Sequence, residues 1–451
     1  MKVYPKYKPS GIDSLSDIPS HWIFNYFKRF VFFQEGPGLR HWQFKENGIK
    51  VICVTNITEN GIDFSSFTKY ISEEEYLESY QHFTVKKGDL LLASSGASWG
   101  KVAEYESDEV VILNTSTIRL NSQKNKINRR FLRWLLSSNY INDQLSVLIT
   151  GSCQPNFGPT HLSKLEIAIP ESELDQQKIV NFLDYKTEQC DRFISNRQKQ
   201  IELLNEQLRF KINQAITKGI NSKVKFKATD IKYVPEIPDH WDIRKFKSLT
   251  SILTCGVAAT PEYVEKHDGV LFLSAQNVKP FRMVFDKLAY IKPELHEKLT
   301  RNKKPIKGDV LVTRIGGDSN IGDACVVSID SEFSVYVSLT HIRPNKEILS
   351  EYIVYFFNTE YCYQLNHEGT VVAGGQGNLN VKNVERYRIP LPPVEEQKEI
   401  ITYLDNYRKE IDNLISKYQK QIELMQEYRT ALISQSVTGK IDVRDWKPQT
   451  K

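Results

Sequence analysis

Four short polar stretches carry the residue types that read nucleic acid. SSGASWGK at 94–101 corresponds to RIGGDSNIG at 314–322, and TGSCQPNFG at 150–158 corresponds to AGGQGNLN at 373–380. The side chains of interest are Ser94, Ser95, Ser98, Lys101, Gln154 and Asn156 in the first half of the chain. In the second half they are Arg314, Ser319, Asn320, Gln376 and Asn378. Arg, Asn, Gln and Ser make the paired hydrogen bonds that distinguish base edges, and glycine lets the backbone approach a phosphate. Each residue alone is an ordinary turn residue. Their recurrence in two matching sets is what points to recognition.

Other chemistry finds little support. GASWGK at 96–101 is like a phosphate loop, but its glycines are one residue too close and Val102 stands where Ser or Thr is needed. A strand–turn–strand is the expected structure there. Glu396 and Lys398 could belong to a nuclease carboxylate–lysine set, yet the duplicate reads Gln176 and Lys178, at a helix start. The nine histidines show no metal spacing, and His21 and His240, beside tryptophans, read as structural residues. Six cysteines without a C-x-x-C pair read as reduced thiols of a cytoplasmic protein. No apolar run reaches a membrane span, and the first residues lack an apolar signal core. The formal charge of +5 is too mild to prove a polyanion partner by itself. Residues 207–229, however, hold no acid and include Arg209, Lys211, Lys218, Lys223, Lys225 and Lys227.

The elements that must position the polar stretches are written twice. QKQIELL at 198–204 returns as QKQIELM at 419–425, IPSHW at 18–22 as IPDHW at 237–241, and KGDLLLASSG at 87–96 as KGDVLVTRIG at 307–316. CQPN at 153–156 is echoed by GQGN at 375–378, and FLRWLLSS at 131–138 by YIVYFFNT at 352–359. The offsets stay between 219 and 222 positions, so the chain is a duplication of domain-sized halves, far longer than a solenoid repeat. Within each half, short β-rich runs punctuated by Gly, Asn and Asp, with a helical segment among them, predict an α+β domain with a mixed sheet. KGD before an apolar run predicts a turn feeding a strand, with Gly at positive φ and Asp bonding the turn backbone. The HW pairs predict a tryptophan planted under the sheet.

Each half then turns helical. IAIP at 167–170 and IPLPP at 389–393 end a strand, and acids follow where a first helical turn favours them. Cys190, Ile194, Ile201, Leu204, Leu208 and Ile212 form one apolar stripe, and Ile411, Ile415, Ile422, Met425 and Leu432 form its copy. Helices of about 35 residues, roughly 50 Å long, should pair as a coiled coil through a seam of Ile194, Ile201, Leu204, Leu208, Ile415, Ile422 and Met425. The predicted boundaries are 1–170 and 228–392 for the domains, 171–227 for the central helix, and 393–451 for the C-terminal helix and tail.

These features, in this order and duplicated, resemble the specificity subunit of type I restriction–modification enzymes. The segment IPLPPVEEQKEIITYLD at 389–405 carries the likeness most strongly; its first copy, IAIPESELDQQKIVNFLD, lacks the second proline and is read with Gln176 in place of a Glu. The resemblance implies two target-recognition domains separated by an antiparallel helix pair, related by a pseudo-twofold duplication. It implies a non-catalytic chain that reads a bipartite, asymmetric target in double-stranded DNA, one half-site per domain. Its helices would dock two methyltransferase (modification) subunits, with restriction–translocase subunits as further partners. S-adenosylmethionine, ATP and Mg²⁺ would then belong to those partners and none to this chain. Two readings from other classes compete. One is a DNA methyltransferase or nuclease fragment with an undetected site; the other is a coiled-coil scaffold with two protein-binding domains.

Overall fold

The computed structural model describes residues 2–12, 15–58, 61–149, 156–256, 261–317, 320–373 and 376–448. It divides into two compact units, Met1–Arg197 with Lys420–Lys451, and Gln198–Gln419.

The first unit is built on an antiparallel sheet ordered Val102–Glu104, Leu90–Ala93, Thr117–Ser122, Val31–Glu35. A second sheet is ordered Lys69–Ile71, Ile49–Ile52, Val111–Leu113, Thr84–Val85, and its Ile49–Ile52 and Val111–Leu113 strands run parallel. The second unit repeats the design. Its antiparallel sheet runs Thr250–Cys255, Leu339–Pro344, Val310–Thr313, Ala324–Val326. Its mixed sheet pairs Val270–Leu273 in parallel with Phe333–Val335. Strands buried on both faces explain continuous apolar runs such as Leu90–Ala93 and Val310–Thr313, all of whose residues are buried. The helices Arg129–Leu136 and Ser350–Phe357 lie where FLRWLLSS and YIVYFFNT placed them.

Both KGD turns form as expected. Gly88 and Gly308 each adopt φ +89°. Asp89 accepts the Lys86 N–H at 2.8 Å, and Asp309 accepts that of Ile306 at 2.9 Å. The two tryptophans are fully buried, but their nearest neighbours include more than sheet residues. Trp22 packs beside Gly439, and Trp241 beside Gly219. Each of these glycines follows the end of a long helix, at φ +72° and +73°.

The long helices exceed the expected length. They span Glu173–Lys218, 46 residues, and Val394–Val437, 44 residues, so each extends for more than about 65 Å. The stripe counted from Cys190 in fact starts earlier, at Ile179, Val180, Phe182 and Leu183, all buried. In the first unit these four share a core with Leu432, Ile433 and Val437, and Asp191 meets Arg429 at 2.9 Å. In the second unit Leu208, Ile212 and Ile216 share a core with Ile400 and Leu404. Within each unit, then, the start of one helix packs antiparallel to the end of the other. The expected seam residues Ile194, Ile201, Leu204, Leu208, Ile415, Ile422 and Met425 are all half-buried. Half-buried positions 194, 197, 201, 204, 208 and 211 follow the alternating three- and four-residue steps of a coiled coil.

Candidate DNA-reading surface

In each unit the fold brings the two predicted polar stretches together. The strand Leu90–Ala93 runs out into Ser94 and Ser95, and Ser95 forms an antiparallel bridge with Asn156. The strand Val310–Thr313 runs out into Arg314, and Ile315 pairs antiparallel with Asn378. One residue further on, an apolar plug seals the junction. The N–H of Phe157 donates to the Ser94 carbonyl at 3.2 Å, and that of Leu379 donates to the Arg314 carbonyl at 2.8 Å. Phe157 and Leu379 are both buried, and Trp99 packs edge-on against Phe157 at 5.7 Å. Two segments far apart in sequence thus meet at one junction, and they do so twice.

The predicted residues divide by exposure. Asn156, Asn320 and Asn378 face solvent, while Ser95, Ser98 and Lys101 are half-buried. Ser94 is wholly buried, with its hydroxyl donating to the Ser116 carbonyl at 3.1 Å. Arg314 is also turned inward, at 9% exposure. Its guanidinium donates to the carbonyls of Leu379 (3.0 Å) and Val337 (3.1 Å) and to Asn378 Oδ1 (2.8 Å). An arginine held by three such bonds orders the loop around it, and reaching a base would mean giving them up. Gln154 and Ser319 lie outside the described residues, as does the side chain of Gln376.

The two patches share a frame and differ in charge. Ala93 N–H donates to Lys101 O, and Thr313 N–H to Asp323 O, so Lys101 and Asp323 occupy equivalent turns. Burial pushes the Asp323 carboxyl up to about 6. Another difference is the turn at His41–Gln43, which carries Trp42 in full view of solvent. Sequence reading passes over it, although a tryptophan between Arg, His and Lys in a Gly/Pro-rich connection is a usable signal.

The residues whose types suggested catalysis hold structural positions. Residues 96–101 are the expected turn between the strands Leu90–Ala93 and Val102–Glu104. Glu396 pairs with His240 at 2.7 Å, and Lys398 with Glu395 at 2.7 Å. The reading of Gln176 as a substitute for a Glu is corrected by its contacts. Gln176 Oε1 accepts the Asn128 N–H at 2.7 Å and its amide donates to Pro170 O at 2.8 Å. Gln397 does the same, accepting from Leu349 at 2.9 Å and donating to Pro392 O at 3.0 Å. Gln176 therefore matches Gln397, and Asp175, 3.7 Å from His21, matches Glu396. Setting DQQK against EEQK one residue out of step hides this equivalence. Among the described residues no cluster of His, Cys, Asp and Glu is placed to hold a metal ion, and no helix is long and apolar enough to cross a membrane.

The chain is a duplicated α+β scaffold that presents two differing polar surfaces. The family model for the type I restriction modification DNA specificity domain matches residues 23–203 and 285–424, and the chain belongs to that family. It is thus a sequence-specific DNA-recognition subunit, the non-catalytic component of such systems. Among its relatives, the type I restriction enzyme MjaVIII specificity subunit of Methanocaldococcus jannaschii is 26% identical over 373 residues, 80% of this chain and 81% of that protein. The EcoKI specificity subunit of Escherichia coli is 25% identical over 221 residues, covering 48% of this chain and 46% of the relative. A solved chain from a study of type I R-M complex assembly and conformational transition shares the fold, with a TM-score of 0.70 at 14% identity. That match covers 94% of this chain and 99% of the other.

Proposed function

We propose that the chain reads a bipartite, asymmetric DNA target, one half-site per domain, and presents it to two methyltransferase subunits docked on its helices. The observation that carries this reading is the paired loop junction, built alike at Ser95–Asn156 and Ile315–Asn378 but lined by different side chains. A common frame with different contacts is what two readers of unlike sequences require. The helix pair supports the docking role, since most of its surface remains polar and exposed outside the seam. On this reading S-adenosylmethionine sits in the modification subunits, and ATP and Mg²⁺ serve restriction–translocase subunits. This chain supplies no group to the chemistry; it holds the modification subunit over the right base. Methylome sequencing of a host with and without the gene tests the proposal. Loss of one interrupted, asymmetric methylated motif is expected, and an unchanged methylome overturns it.

A further inference from the structure

We propose that the turn at Arg40, His41 and Trp42 is a specificity-determining element of the first domain. The Trp42 indole would make an apolar contact with the bases, and Arg40 would donate hydrogen bonds to the DNA. This deepens the reading of the chain as a DNA-recognition subunit and rests on it.

The first ground is exposure. Trp42 is 72% exposed, whereas Trp22 and Trp241 are fully buried and Trp99, Trp134 and Trp446 pack against the core. The second is rigidity. Gln43 is buried beneath the turn; its Oε1 accepts the Arg40 N–H at 2.8 Å, and its amide donates to Tyr80 Oη at 3.0 Å and to Glu75. On the far side, the Lys45 N–H donates to the Tyr70 carbonyl at 2.9 Å. An indole held out on a turn pinned at both ends loses little freedom on binding, which is how aromatic anchors gain affinity.

Position supplies the third ground. The segment leaves the sheet at Glu35 and Gly36. Glu35 accepts the Ser116 N–H at 3.3 Å, and the Ser116 carbonyl accepts the Ser94 N–H at 2.9 Å. The four steps from Gly36 to Arg40 span at most about 14 Å, so Arg40 stays within that reach of the sheet end from which the polar patch extends. Finally, the two halves differ here. Residues 36–48 carry Arg40 and Lys45 against Glu46, while 256–269 carry Glu262, Glu265 and Asp268 against Lys266, with one histidine in each, His41 and His267. Two copies of one partner subunit need like surfaces on the two domains. Two half-sites of different sequence need unlike ones, and cations beside an exposed indole suit a polyanion with apolar base faces.

The test uses the full chain, with the modification subunits that co-purify with it, carrying Trp42→Ala or Arg40→Ala. The probes are a duplex bearing the motif that the wild-type methylome defines and a scrambled duplex. Thermal unfolding should not move, since both side chains are exposed. Binding of the target duplex should weaken by roughly tenfold or more, with binding of the scrambled duplex changed less than about twofold. The methylome should relax at positions in one half of the motif only. Unchanged binding of both duplexes, equal weakening on both, or lost methylation with target binding intact would each overturn the proposal. Failure of the parent reading looks different, because the wild-type chain would then define no motif.

Discussion

A single glutamine plays the same part at two places in this molecule. Gln176 and Gln397 each tie the first turn of a long helix to the start of a domain helix, through one backbone N–H and the carbonyl of a strand-ending proline. Replacing Gln397 with Leu takes away the partner of the Leu349 N–H and of the Pro392 and Glu347 carbonyls in a buried place. Urea unfolding should show a loss of about 1–3 kcal/mol. Asp323 gives the residue scale a pH signature. Its carboxyl is held at about 6 in the folded chain, against about 3.9 in an unfolded one. The folded state therefore binds this proton more tightly, so the group's contribution declines as pH rises from about 4 through about 6. Asp323→Asn should remove that slope. The variant should be more stable than the parent at pH 8, by on the order of 1–2 kcal/mol, and no more stable at pH 4. Equal stability differences at both pH values would show that Asp323 is not the group responsible.

At the scale of elements, the ends of the long helices decide more than their middles. The seam residues between Ile194 and Leu208 are only half-buried, whereas Leu432, Ile433 and Val437 lie in the core of the first unit. Gly439 closes that end in a left-handed conformation, and a Cβ there would sit 2.5 Å from Pro19 Cδ and 3.3 Å from Trp22. Gly439→Ala should therefore cost more than about 1 kcal/mol, from backbone strain and overlap together. Gly38→Ala, whose added carbon meets nothing within 4 Å, should leave stability unchanged. Paired thermal melts distinguish the two. A Gly439→Ala chain that melts with the parent would mean that the helix end shifts without cost.

For the whole molecule the duplication makes two predictions. Exchanging residues 237–388 for those of another family member should change one half of the methylated motif and leave the other intact; a change in both halves would contradict modular reading. The second concerns a fragment ending at residue 227. In the intact chain the first unit's core is completed by Leu432, Ile433 and Val437, and the fragment lacks them. It does contain Ile212 and Ile216, which fill the equivalent place in the second unit beside Trp241. Two copies could each complete the other through a twofold axis, burying apolar area worth about 25 cal/mol per Å². Light scattering should report a dimer, Ile216→Asp should prevent it, and with modification subunits the dimer should methylate an interrupted palindrome. A folded monomer indifferent to Ile216→Asp would refute the exchange.

The sequence by itself determined the duplication, the α+β class of each half, the KGD turns, the helix pair and the correspondence of polar stretches between the halves. All of these rest on periodicity or on short-range turn chemistry, which a linear reading detects. Even there it stopped short: the apolar stripe counted from Cys190 begins upstream of it, because Ile179, Val180, Phe182 and Leu183 pack on a domain core as well as on the seam. Only the tertiary structure decided which way each polar side chain points. Arg314 and Asn378 are equally polar in sequence, yet one is consumed by inward bonds and the other stands exposed. Sequence reading passes over Trp42; Gln43, bonded to Tyr80 and Glu75, anchors the turn on which the indole faces out. Burial of this kind is set by contacts tens of residues away, and no local pattern encodes them.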